Sequence, residues 1–237
     1  MMTTDGTSRR GFLGRVLGAA AAVSLPVGQA GTAAAQQASP DAWIGEVKGT
    51  HRCLFDFPQH KNGFPLLHIL NYLNTYNAAY KTTPGQVGAV GTFYALGTES
   101  SISLAFNDAM WAKYKLGDYL RLKDAAGRPY TRNVFYRPTK EDGHVLMQAV
   151  QTPPIPALAE AMPALGIESL QKMGAKFLLC NNALGAWILE LEARGKGKAA
   201  DIEKDLRANI LPGVTTVPAM VIAIEKAQGA GIRYNRQ

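Results

Sequence analysis

Apolar residues recur along this chain in two rhythms. Residues 50–57, "THRCLFDF", alternate, with Cys53 and Phe55 on one face and Leu54 on the other, as in a strand. Within "GFPLLHILNYLNTYNAAY", Leu66, Ile69, Leu70 and Leu73 follow one another at helical spacing, and Pro65 suits a first helical turn. Residues 87–96 predict a second strand and "NDAMWAKYKLGDYL" a second helix, with Asn107 or Asp108 as its N-cap. The last third repeats the alternation: a strand at 177–179, helices at 183–194 and 200–208, a strand in "GVTTV", a helix at 218–228 opened by Pro218, and a short final strand near Arg233. Strands alternating with helices predict an α/β fold, a mainly parallel sheet between two helix layers. Ligand sites in such sheets lie at the carboxyl ends of the strands, where Cys180 and the segment from Asp56 to His60 fall.

Two stretches depart from this rhythm. Residues 123–156 are rich in Gly, Pro and charge and read as an insertion or long connection outside the core. Weaker helical patterns follow at 157–162 and 167–173, the second ended by Gly174. At the other end, "TSRRGFL" precedes an apolar run and then "AAA", the basic, apolar and small-residue order of an export signal. Arg9, Arg10, Phe12 and Leu13 resemble the twin-arginine signal, which implies export of a folded protein by the Tat translocase. The plan is a signal at 1–35, a linker at 36–49 and one domain at 50–237. The expected location is the periplasm, as a cleaved protein or as an uncleaved, membrane-anchored form.

The 237 residues carry a formal charge of +7. Removing the signal takes away Arg9, Arg10, Arg15 and Asp5, which lowers the charge to +5. That charge is scattered, so nucleic acid is not an expected partner. No later segment is apolar enough for a stable transmembrane span once the signal is cleaved.

Cys53 and Cys180 are the two cysteines, an even pair that in an oxidising compartment invites a disulfide. There is no C-x-x-C motif and no haem-attachment motif. Cys53 lies within an apolar strand and reads as a buried structural thiol. Cys180 ends a strand just before a helix, where unsatisfied N–H groups would favour an anionic sulfur. Asn181 and Asn182 are N-cap types whose amides could donate to that sulfur. The other reading of Cys180 is a small buried hydrophobe. Asp56 and His60 are candidate site neighbours, the histidine as a proton shuttle or anion-orienting group. The spacing of His51, Cys53, Asp56 and His60 matches no common zinc pattern, so no metal and no cofactor is expected. "GTESS", residues 97–101, could present N–H groups to an oxyanion or form a simple turn. Arg128, Arg132 and Arg137 could cover the site, meet a neighbouring subunit or stay solvated.

"MGAKFLLCNNAL" and "ILPGVTTVPAMVIAIEKAQGAGIRY", with the strand–helix order, resemble the DsrE/DsrF-like proteins. The resemblance is good over residues 169–234, looser over 50–120, and does not extend to 123–156. It implies a three-layer α/β/α fold, homo-oligomers and, in the sulfur-relay members, a persulfide on the cysteine matching Cys180. Donor and acceptor proteins for sulfur would then be its partners. Other members of that fold have no established activity, so a non-catalytic binding or assembly module is the alternative expectation, and whether the chain is an enzyme stays open.

Overall fold

The computed structural model describes residues 39–150, 153 and 155–237. The expected export signal, with Arg9, Arg10, Phe12 and Leu13, lies outside the described residues. Among the described residues no helix is long and apolar enough to cross a membrane.

Five strands form a single parallel sheet in the order β4-β3-β2-β1-β5: β1 His51–Asp56, β2 Val87–Phe93, β3 Ala175–Cys180, β4 Val214–Val217 and β5 Arg233–Arg236. The helices are α1 Ala42–Glu46, α2 Phe64–Ala79, α3 Asp108–Tyr114, α4 Leu116–Tyr119, α5 His144–Val150, α6 Pro156–Leu165, α7 Ile167–Lys172, α8 Asn181–Ala193, α9 Ala199–Ala208 and α10 Met220–Gly229. The order explains the layers. From β1 to β4 the chain steps across the sheet in one direction, so right-handed crossovers put α2 to α9 on one face. To reach the far side of β1, the chain must then step backwards, and the same handedness puts α10 on the other face. The result is the α/β/α sandwich that the alternating pattern predicts.

Burial follows from this plan. β2, at the centre, is buried at all seven positions, as expected of a strand covered on both faces. The larger core joins Cys53, Phe55, Ala89, Phe93, Phe177 and Leu179 to α2–α9. The smaller core joins Leu54, Val90, Leu178, Cys180 and Val217 to α1 and α10. In the larger core Phe93 and Phe177 stack face to face, with centroids 5.1 Å apart. Gly91 makes room for them, because a Cβ there would meet the Phe177 ring at 2.6 Å.

Two expectations need correction. The described part of the 123–156 segment contributes to the core: Val134, Phe135, Val145 and Leu146 are fully buried. A buried carboxylate organises the segment. Asp142 accepts two hydrogen bonds from Arg132 at 2.7 Å, one from the Tyr130 hydroxyl and one from Thr139 N. Burial alone would push the Asp142 carboxyl upwards, but these donors hold it below the usual carboxylate range. The domain also begins before residue 50. Trp43 and Val47 of the supposed linker are buried under the sheet beside α10.

Candidate functional site

Cys180 is the last residue of β3 and also the N-cap of α8. Its Sγ accepts the Ala183 N–H at 3.4 Å, and the Met220 N–H, from the first residue of α10, at 3.3 Å. The second contact follows from topology. Cys180 pairs with Val217 at the ends of β3 and β4, and from there α8 and α10 leave towards opposite faces of the sheet. Adjacent strands whose helices depart to opposite faces define the crevice where α/β sheets bind ligands. At this crevice the sulfur receives two backbone N–H groups, one from each of two helix N-termini, each carrying partial positive charge. The thiol is 5% exposed and packs on its inner side against the smaller core.

The asparagines do not contribute as expected. The cap position belongs to Cys180 itself, so Asn181 and Asn182 form the first turn of α8. The Asn181 Oδ1 accepts from Arg207 at 3.0 Å, and Asn182 uses its backbone N–H on the Pro218 carbonyl at 3.2 Å. The Met220 N–H is a site group that side-chain patterns miss. Its only sequence signal is the helix start a few residues past "GVTTV".

Asp56 ends β1 on the same face of the sheet as Cys180, two residues after Leu54. It is 1% exposed and accepts from the Tyr94 hydroxyl at 2.8 Å and the Tyr234 hydroxyl at 2.7 Å, with Thr92 Oγ1 at 3.4 Å and Arg236 Nη1 at 4.0 Å. Tyr94 follows β2 immediately and packs against the small core that contains Cys180. Burial first, then the Asp56 carboxylate, pushes the Tyr94 hydroxyl above the usual tyrosine value. A buried carboxylate held by two phenols thus lies on the same face of the sheet as Cys180, with β2 between their strands. Tyr94 and Tyr234 were not marked by the sequence.

His60 is turned elsewhere. It is 4% exposed, its ring lies 6.2 Å from that of Phe135, and its Nδ1 accepts the Asn62 N–H at 3.0 Å. The proton of the neutral ring therefore sits on Nε2, which has no hydrogen-bond partner among the described residues. Burial pulls this histidine down to about 4, and the Thr98 backbone counters only part of that shift. His60 caps a turn in which Lys61, Asn62 and Gly63 all have positive φ.

The remaining residues with candidate chemistry are engaged within the fold. Cys53 faces the larger core, and burial pushes its thiol up to about 11. It lies on the opposite face from Cys180 with β2 between their strands, so the two cannot form a disulfide, and both are free thiols. In the 97–101 loop, Gly97 N–H donates to Glu190 Oε2 at 3.0 Å and Ser101 N–H to the Pro58 carbonyl at 2.9 Å. Arg128, Arg132 and Arg137 pair with Asp124, Asp142 and Glu168. His51 stacks on Tyr76, with centroids 4.5 Å apart. Among the described residues no group of three or more His, Cys, Asp or Glu side chains is placed to hold a metal ion. No family model, curated protein or solved structure matches the chain, so the functional reading rests on this geometry.

Proposed function

We propose that the protein is an exported, DsrE-like carrier of sulfane sulfur, with Cys180 as the acceptor. The observation that carries this reading is the convergence of the Ala183 and Met220 N–H groups on Sγ. Two donors and two helix N-termini suit a sulfur that carries negative charge, as thiolate or as persulfide. Cys180 Sγ attacks the outer sulfur of a donor persulfide, R–S–SH. A new S–S bond forms, the donor S–S bond breaks, and its electron pair leaves with the donor sulfur. The thiol proton ends on that leaving group, giving Cys180–S–SH and R–SH, with no net oxidation or reduction. Handing the sulfur to an acceptor thiol repeats the same exchange. Donor and acceptor proteins, a homo-oligomeric state and Tat-dependent delivery to the periplasm belong to this proposal.

A second reading is a non-catalytic binding or assembly module of the same fold. The 5% exposure of Cys180 favours it, since a relay needs the sulfur to be reached. One experiment separates the two. The purified protein is incubated with glutathione persulfide and examined by intact mass spectrometry. The carrier reading expects wild type and Cys53→Ser to gain sulfur and Cys180→Ser to gain none. No gain in wild type leaves the module.

A further inference from the structure

Helix α10 begins without a cap of its own. Its N-cap position is Ala219, which has no side-chain acceptor, and its first turn, Met220-Val221-Ile222, holds no acidic residue. Alanine is a poor residue at this position, because the first N–H groups of a helix need acceptors from outside it. The acceptor comes from another strand: the Met220 N–H reaches Cys180 Sγ at 3.3 Å. The same sulfur caps α8 in the ordinary way, from the N-cap position to the Ala183 N–H. One atom thus caps two helices, its own and one that starts 40 residues on.

The two helices do not depend on it equally. α8 is held to the larger core by Leu184, Trp187, Ile188 and Leu191. The buried residues of α10 are Met220, Ala223 and Ala227, with Ile224 half-buried. A methionine and two alanines bury far less apolar surface than a tryptophan and three branched aliphatic side chains. A change at Sγ therefore reaches α10 first. Space acts in the same direction. Cys180 is 5% exposed and its neighbour Val217 on β4 is 1% exposed, so an atom added to Sγ needs room that one of the converging helices must yield.

We propose that Cys180 couples its chemical state to α10: the free sulfur holds the start of the helix, and a group added to that sulfur releases it. A sulfur bonded to a second sulfur carries no charge and accepts weakly, and the added atom crowds the Met220 N–H. α8 keeps its place through its own core residues. The released turn carries Val221 and Ile222, 74% and 48% exposed, so the surface beside the thiol differs between the free and the loaded protein. The coupling holds for any group on the thiol and does not depend on sulfane sulfur being the cargo.

Methyl methanethiosulfonate tests it on the full chain. Cys180 Sγ attacks the methylthio sulfur, a new S–S bond forms as the reagent's S–S bond breaks, and methanesulfinate leaves with the electron pair. The thiol proton passes to solvent, and Cys180–S–S–CH3 remains, placed by peptide mapping. Residue-resolved amide hydrogen exchange is then compared before and after. The Met220 and Ala223 N–H groups are bonded to Sγ and to the Ala219 carbonyl. Both should exchange at least about tenfold faster after modification, the scale of a lost N-cap. The amides of Trp187 and Ile188 in α8 should keep their rates. Cys180→Ala, which removes the acceptor without adding bulk, should also speed Met220 and Ala223. Ala219→Ser gives α10 its own cap, so the rise on modification should shrink in that variant. Unchanged rates at Met220 and Ala223 overturn the proposal, as does an equal rise in α8 and α10 or an undiminished rise in Ala219→Ser. A Cys180 that stays unmodified overturns it too, because α10 then does not yield.

Discussion

The two faces of the sheet differ in thickness, and the difference divides labour between them. On one face α2 to α9 and the 123–150 segment cover Phe55, Phe93, Phe177 and Cys53. On the other, among the described residues, the five-residue α1 and the ten-residue α10 cover Leu54, Leu178 and Cys180. Cys53 and Cys180 are almost equally shielded, at 7% and 5% exposure, yet their surroundings are opposite. Cys53 packs in the larger core, and its thiol donates to the Leu54 carbonyl at 3.8 Å. Cys180 receives two N–H groups under a thin cover. A face with few buried contacts can open locally at low cost, whereas the thick face opens only when the whole domain does. Burial alone would have made the cysteines equivalent; what separates them is the topology that starts α10 beside β3.

Neighbouring residues that point to opposite faces give the strongest test of this division. Phe177 is fully buried against Phe93, and Phe177→Ala should cost about 3–5 kcal/mol of unfolding free energy. Leu178 is just as buried on the thin face, and Leu178→Ala should cost less, about 2–3 kcal/mol, because a two-helix cover collapses onto the vacancy more readily. Urea midpoints compared at constant m-value measure both. A larger loss at Leu178 would reverse the assignment of stability to the thick face.

Much of this contrast can be read in the sequence, and the missing part has identifiable causes. The alternation of Cys53, Leu54 and Phe55 assigned each to its face because a strand repeats every two residues, a rule that needs no partner. The α2 stripe was legible for the same reason. Trp43 was not, because a five-residue helix is too short to establish a period. Val134, Phe135, Val145 and Leu146 escaped because irregular chain carries their side chains inward, so their spacing has no rhythm. At the candidate site, the strand-end position of Cys180 is written in "FLLCNNAL". The Met220 N–H that completes its surroundings is a backbone group forty residues away. The partners of Asp56 are not legible either, because it is the β1–β5 register that brings Tyr234, 178 residues on, and Arg236 to its carboxylate.

A smaller effect tests the thick face through pH. His60 titrates near 4 in the folded protein and at about 6.5 when unfolded. The unfolded chain therefore takes the proton first. The stabilisation from a neutral, buried His60 is complete above pH 6.5 and is lost as the pH falls from there towards 4. By pH 4.5 the loss should reach roughly 2–3 kcal/mol. Urea unfolding at pH 7 and pH 4.5 measures it. His60→Gln, which cannot titrate, should lower stability at pH 7 but flatten the decline between the two values. An equally steep decline in that variant would assign the acid sensitivity to other groups.

The smallest expected change belongs to Trp43 on the thin face. Its ring is 1% exposed and packs in the small core, yet among the described residues its indole Nε1 has no hydrogen-bond partner. A buried donor without an acceptor costs on the order of 1–3 kcal/mol relative to one that is satisfied. Trp43→Phe removes that donor and also some buried apolar area. The first effect stabilises and the second destabilises, so the net change should lie within about 1 kcal/mol of zero. Trp43→Ala, which loses the whole ring, should cost about 3–5 kcal/mol. Thermal or urea unfolding of both variants reads the difference. If Trp43→Phe costs as much as Trp43→Ala, the indole N–H has a partner, such as bound water, and α1 is pinned over the small core more firmly than a thin, openable cover allows.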